Sequence, residues 1–309
     1  MLEFVYDGEF DMRVDKFLSN RIEWSRSFCS NLIDKNAVMV NNKNVKKSYK
    51  ISKNDKIIIK KINFYNSYKC LAESPLVDID IKFETDDYAV VYKPKWVLSH
   101  PNSQWNIKDT PSLVGQLYHM YWKLPSSWTF LRMWIVHRLD KATDGLMIVA
   151  KSNKGLKYFQ KLFKEKSKAQ NISSKEAVKL IKMYKARSVL TSKGKSFLKS
   201  ITKLPYYIDK PVKTKSDFVQ NYKRWITKIL DYKINNKYVD FDIEILTWRT
   251  HQIRYHLSSE GLDVLWDDIY GTDSFDDLKL TAYKLFFQDL KWVYRKFELN
   301  FWQNGLKAI

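Results

Sequence analysis

Cysteine is scarce: Cys29 and Cys70 are the two thiols in 309 residues. Neither has a metal-ligand spacing around it, and two are too few for a disulfide framework. Both points fit a reducing, intracellular setting. Cys29 stands among Phe28, Leu32 and Ile33, which suits a core position. Glycine is also sparse, at 8 residues, and no glycine-rich phosphate loop or dinucleotide fingerprint occurs. No apolar run approaches the ~20 residues needed to cross a bilayer. The opening MLEFVYDGEFDMRVD carries acid where a secretory leader needs a basic start and an apolar centre. The expectation is a cytoplasmic protein with no membrane partner.

Positive charge is abundant. Lys plus Arg number 54 against 34 Asp plus Glu, a formal charge of +20 with a pI near 9.6. Such an excess points to a polyanionic partner, nucleic acid first, because each neutralised phosphate releases counterions. A lysine-rich surface from a genome biased toward Lys, Asn and Ile codons is the competing explanation. The length suggests about two domains.

Val14, Phe17, Leu18 and Ile22 recur at helical spacing, and Ser25 is a candidate N-cap for a second helix carrying Phe28, Leu32 and Ile33. Val38–Val40, Val45 and Ile57–Ile59, separated by Asn-rich turns, read as short strands. Residues 61 to 76 are polar and end at Ser74-Pro75, as a linker does. Beyond them strand and helix periods alternate. A helix is expected over 153–166 and a strand over 182–190. Val239, Phe241, Ile243 and Ile245 mark a strand with one buried face, after which Thr250 would cap a helix with Ile253 and Leu257 inward, stopped by Gly261. The class is mixed α/β with a substantial sheet.

One turn stands out. His137-Arg138-Leu139-Asp140-Lys141-Ala142-Thr143-Asp144-Gly145 runs directly into the apolar strand Leu146–Ala150. Arg138 and Lys141 keep Asp140 ionised even where water is partly excluded. This suits a nucleophile or base, and it equally suits a solvated ion-pair turn.

The segment VHRLDKATDGLMIVAKS resembles the catalytic signature of the RluA-type pseudouridine synthases. Further blocks follow that family's order: Phe83–Pro94 through His100-Pro101, Lys182-Met183-Tyr184-Lys185-Ala186, Arg249-Thr250-His251-Gln252-Ile253-Arg254, and Asp268-Ile269-Tyr270-Gly271. The stretch RVDKFLSNRIEWSRSFCSNLIDKNAVMVNNKNVKKSYKISKNDKI is similar to an S4-like RNA-binding module. The resemblance implies an α+β pseudouridine synthase fold, a long mixed, mostly antiparallel sheet with a central cleft. It also implies an S4-like domain over 1–60, a linker over 61–76 and a catalytic domain over 77–309.

By this resemblance the activity is isomerisation of uridine in RNA, with large-subunit ribosomal RNA the expected partner. Asp140 starts glycosidic cleavage as nucleophile or base, Arg254 ion-pairs with it across the cleft, and Tyr184 stacks on the base and takes the carbon 5 proton. Arg138 fills the gap left by a flipped uridine. His137, Arg249, Thr250, His251 and Gln252 are further RNA contacts. Arg13, Lys16, Arg26, Lys35, Lys43, Lys46 and Lys47 are candidate phosphate contacts, which position without reading sequence. His100, His137 and His251 invite a metal reading, but neighbouring arginines oppose a cation. No metal and no cofactor are expected, and the chain should act as a monomer. A catalytically inactive RNA-binding or assembly factor on the same fold is the alternative. A carboxylate-based nucleotide hydrolase lacks an acid/base pair.

Four departures share a form. Trp96, Trp134, Trp248 and Trp266 fall where the resembling family carries glycine, in a chain with 11 Trp. An indole where the backbone needs positive φ or close approach should distort the turn. The pattern fits a source that reads UGA as glycine. Ala142 and Asp144 also differ from the usual signature, and Asp144 adds negative charge near Asp140. Asp267-Asp268 lacks the proline many members have.

Overall fold

The computed structural model describes residues 2–21, 26–60, 71–101, 108–121, 134–168, 179–210, 225–271 and 276–300. Ile22 and Ser25, expected to extend and cap the first two helices, lie outside them, as do Cys70 and the Arg26 side chain.

The N-terminal unit contains strands β1 (Leu2–Val5), β2 (Met12–Arg13), β3 (Val38–Val40), β4 (Lys43–Asn44), β5 (Lys50–Ile51) and β6 (Lys56–Ile59), with helices α1 (Val14–Arg21) and α2 (Arg26–Asp34). Four strands form a sheet in the order β1-β6-β3-β4. The helical-period residues Val14, Phe17 and Leu18 meet Cys29, Leu32 and Ile33 in one small core, closed by Val38, Val40, Ile57 and Ile59. Cys29 is fully buried, and burial, then the charge of Asp15, pushes its thiol up to about 11. It is a packing residue.

The larger unit is built on a nine-stranded sheet. Its strands are β7 (Asp80–Glu84), β8 (Tyr88–Lys93), β9 (Asp144–Ala150), β10 (Leu180–Val189), β11 (Tyr206–Asp209), β12 (Ile226–Asn235), β13 (Tyr238–Ile245), β14 (Leu280–Gln288) and β15 (Tyr294–Glu298). The order is β11-β12-β13-β10-β14-β9-β8-β7, with β15 paired to β14. Neighbours are antiparallel except β9 and β14, which run parallel. The central strands bury both faces. On β8 and β9, Ala89, Val91, Met147 and Val149 enter one core, while Tyr88, Val90, Leu146 and Ile148 enter the other. This explains why β9 reads as a continuous apolar run.

Helix α4 (Asn153–Lys168) covers the second face through Phe159, Leu162 and Phe163. Helices α3 (Leu113–Tyr121), α5 (Ser192–Ser200) and α6 (Gln252–Ser259) cover the first. Leu71, placed by the sequence at the end of a linker, is buried in that first core.

The start of α6 differs from expectation. Its N-cap is His251, at φ 57°, with no side-chain cap, and Thr250 is exposed. The chain leaves β13 through a turn in which the Gln252 N–H reaches the Arg249 carbonyl at 3.3 Å. The left-handed residue, one place later than the expected cap, starts the helix. Ile253 and Leu257 are buried as expected, and Gly261 follows the helix at φ +75°.

Candidate active site

The His137–Asp144 loop is pinned from several sides. The Ser99 hydroxyl donates to the Leu139 carbonyl at 2.8 Å and accepts the Leu139 N–H at 2.9 Å. The Trp96 N–H bonds the Lys141 carbonyl at 2.8 Å. Asp144 accepts from the Tyr92 hydroxyl at 2.7 Å and from the Thr281 hydroxyl at 2.6 Å. Asp144, unusual by sequence, is therefore a buried clamp between β8 and β14. Where the loop becomes β9, Gly145 stands at φ +121°, and a Cβ there would overlap the backbone of Ala282. Glycine is what lets β9 approach β14 at that point.

Asp140 lines a cavity of ≈ 280 Å³ together with Tyr184, Arg254, Arg138, Thr143 and Leu280. Phe163, Trp248 and Ile245 supply apolar walls, and Lys164, Arg249 and His251 a polar rim. The volume suits one nucleoside. Asp140 is partly exposed, and its carboxylate makes no hydrogen bond or salt bridge with another described residue. Tyr184 lies on β10 and is 5% exposed. Burial, then the negative charge of Asp140, pushes its phenol well above the usual range, so it is a proton donor at rest.

Arg254 corrects one expectation. Its guanidinium grips Asp267 through two bonds, Nε to Oδ2 at 2.7 Å and Nη2 to Oδ1 at 2.5 Å, and Nη2 also reaches Asp268 at 2.7 Å. No salt bridge to Asp140 forms within 4.0 Å; Asp140 is felt by Arg254 only as a nearby charge. The planar fork matches a carboxylate edge on, so the pair orients the arginine rigidly. Burial alone would raise the Asp267 carboxyl, but Arg254 and the N–H groups of Tyr270 and Ile269 hold it below its ordinary value.

Two buried lysines, Lys93 and Lys182, lie behind the cavity, and no role for either was evident from sequence. Burial pushes each down to about 7, while the charge of Asp140 opposes the shift. Their hydrogen bonds separate them. Lys93 Nζ donates to the carbonyls of Pro94, Val97 and Lys141 at 2.8, 2.8 and 3.3 Å, which uses the three N–H bonds of an ammonium. Lys182 Nζ faces Nδ1 of His137 at 3.3 Å. The other ring nitrogen of His137, Nε2, accepts the Ile148 N–H at 2.9 Å, so Nδ1 carries the hydrogen. Nδ1 can donate only to a free amine, which makes Lys182 the uncharged lysine of the two. Its Nζ stands 5.0 Å from the centre of the Tyr184 ring.

Other sequence candidates divide by availability. Arg138, Arg249 and Thr250 are exposed at the cavity rim. His251 lines it and faces the Tyr270 hydroxyl at 3.4 Å. His137 and Gln252, expected as RNA contacts, are occupied inside the protein. His137 is stacked on Phe163 with both nitrogens engaged, and the Gln252 amide bonds Ile226, Thr227 and Thr247. In the N-terminal unit Arg13 is bound by Asp15 at 2.9 Å and Lys47 meets Asp34 at 3.4 Å. Lys16, Lys35, Lys43 and Lys46 are exposed, and Lys43 and Lys46 border a shallow groove with Tyr49. The partners of Arg254 were missed because a helix and a loop thirteen residues later meet only in the fold; the acidic pair beside Trp266 was the available signal.

Known proteins resemble this chain along most of its length. Residues 12–57 match the S4 domain. A relative from Aquifex aeolicus (strain VF5), named an uncharacterized RNA pseudouridine synthase, is 30% identical over 89% of this chain and 81% of its own length. The ribosomal large subunit pseudouridine synthase D of Borreliella burgdorferi (strain ATCC 35210 / DSM 4680 / CIP 102532 / B31) is 29% identical over 83% and 75%. The solved structure of human RNA Pseudouridylate Synthase Domain Containing 1 shares the fold, with a TM-score of 0.51, 19% identity, and 74% and 86% of the two chains covered. Residues 87–259, more than half of the chain, match the RNA pseudouridylate synthase family, and to that family this protein belongs: it is an RNA-modifying isomerase.

Proposed function

We propose that the substrate is a uridine of large-subunit ribosomal RNA, and that Asp140, Tyr184 and Arg254 carry the reaction. The names of the Borreliella burgdorferi relative and of the Vibrio vulnificus (strain CMCP6) ribosomal large subunit pseudouridine synthase C, 26% identical over 88% of this chain, favour that RNA. The observation that carries the site assignment is the convergence of Asp140, Tyr184 and Arg254 on one nucleoside-sized cavity. A duplex or stacked base cannot enter it, so the uridine is everted, and Arg138 at the rim is placed to occupy the gap.

The bond from nitrogen 1 of uracil to the sugar breaks with its electrons leaving on the base. Asp140 either bonds the anomeric carbon or removes the 2′ proton. The base turns between the Tyr184 ring and the apolar wall, and carbon 5 bonds the anomeric carbon as the bond to Asp140 breaks or, on the base route, as Asp140 returns the proton to the 2′ carbon. The proton then leaves carbon 5 while nitrogen 1 gains one, so atoms and charge balance with no redox change and no net hydrolysis. Arg254, fixed by Asp267, supplies positive charge beside the anionic base. Thr143 also lines the cavity, with its buried hydroxyl lacking a hydrogen-bond partner among the described residues.

In this reading residues 1–60 form the S4 RNA-binding domain, and the catalytic domain takes in Leu71, which packs in its core, so the linker expected over 61–76 ends before that residue. The chain acts in the cytoplasm as a monomer. Asp140→Asn should abolish pseudouridine formation in ribosomal RNA and leave RNA affinity nearly unchanged. Equal product from both forms would defeat the assignment, and mapping pseudouridine in ribosomal RNA with and without the gene would identify the site.

A further inference from the structure

Ten described residues other than glycine stand at positive φ. Five are asparagines and one is His251, types that tolerate the left-handed region. The other four are tryptophans: Trp96 at 64°, Trp134 at 60°, Trp266 at 61° and Trp292 at 63°. For a bulky side chain this region is a genuine outlier. Trp225 and Trp248, the other described tryptophans, are not among the positive-φ residues, so Trp248 drops out of the conformational argument and Trp292, which sequence did not single out, enters it.

Hydrogen bonds give two of these positions a turn type. The Asp267 N–H bonds the Val264 carbonyl at 3.1 Å, which makes Trp266 the third residue of a four-residue turn. With Leu265 at ordinary φ, this is the type II turn, whose third position calls for glycine. Between β14 and β15 the Trp292 N–H bonds the Asp289 carbonyl at 3.0 Å, and the Asp289 N–H bonds Val293 at 2.9 Å. That is a three-residue hairpin loop with residue 292 at its left-handed glycine-bulge position. Trp134 is buried, and its indole nitrogen has no partner among the described residues, against the habit of buried tryptophan.

We propose that glycine is the native residue at 96, 134, 266 and 292, and that at 96, 134 and 266 it positions the cleft. One codon read as glycine by the source and as tryptophan in the printed sequence accounts for all four. It also explains 11 Trp beside 8 Gly, where glycine ordinarily makes up about 7% of a chain. Resting on the function proposed above, residue 96 ties its N–H to Lys141 next to Asp140, residue 134 leads into His137, and residue 266 turns the chain so that Asp267 meets Arg254. Residue 292 lies in a hairpin far along the chain from these and serves as a control.

Sequencing the gene and mass analysis of peptides from the protein in its own cells test the identity. UGA codons and glycine masses at the four positions are expected; a UGG codon or an indole mass at any of them overturns the proposal. Trp266→Gly, Trp266→Asn and Trp266→Ala then test positioning against the printed chain. Glycine should raise kcat on the order of 10- to 100-fold with KM little changed, asparagine should recover part of this, and alanine should recover little. Trp292→Gly should raise the melting temperature and leave kcat unaltered. Equal kcat for the alanine and glycine forms would show that only indole bulk matters and would overturn the positioning role. Glycine masses combined with no pseudouridine from any form would leave the identity standing and defeat the functional reading instead.

Discussion

At the scale of single residues, the site depends on how buried charge is held. Arg254 is 2% exposed and Asp267 1%, so removing one strands the other. Asp267→Ala should lower stability by about 3–5 kcal/mol, read as a fall in denaturant midpoint, and should cut turnover as well, since Arg254 loses the fork that aims it. An unchanged midpoint would mean that Asp268 alone can hold the arginine. Lys182 behaves oppositely. Its folded value of about 7 lies below the ordinary 10.5, so the unfolded chain binds the proton more readily. The resulting penalty is full below about 7 and is relieved as pH rises toward 10.5, and stability should rise across that window. Lys182→Met should remove up to about 1.4 kcal/mol per pH unit from that slope; thermal melts from pH 7 to 10 that keep the parental slope would show that Lys182 stays charged.

At the scale of elements, the catalytic loop is aimed by the junction of β9 with β14. This is the parallel pairing in the sheet, and its register places Gly145 opposite Ala282. Gly145→Ala would force a side chain into positive φ and into the Ala282 backbone. Strain of about 1–3 kcal/mol and overpacking of about 1–3 kcal/mol should both appear, as a lowered midpoint with a proportionally larger loss of activity. A fully active, equally stable variant would show that the strands separate without moving Asp140. Helix α4 supplies the opposite wall: Phe163 contributes to the second core and to the cavity at once, so stability and site shape are coupled through one face of a helix.

At the scale of the whole molecule, a charge of +20 predicts binding governed by phosphate contacts. If four phosphates are neutralised, affinity for RNA should fall by about 100-fold between 50 and 200 mM salt. Replacing Lys43 and Lys46 by glutamate should weaken binding and flatten that dependence without changing the rate of the bound complex. Filter binding at several salt concentrations measures both, and a salt-independent Kd would contradict the phosphate assignment. Among the described residues no helix is long and apolar enough to cross a membrane.

Local signals in the chain set much of this in advance. The period-two burial of Val239, Phe241 and Ile243, the helical stripe of Ile253 and Leu257 ended by Gly261, and the His137–Ala150 block are each written in neighbouring residues, so spacing and side-chain type suffice to read them. Pairing across the fold is different in kind. That Arg254 takes Asp267 rather than Asp140, that His137 leaves Lys182 uncharged, and that Asp144 clamps Tyr92 to Thr281 depend on groups from separate strands meeting where water is excluded. Hydrogen-bond geometry and burial, which exist only once the sheet has closed, choose among partners that the sequence leaves equivalent.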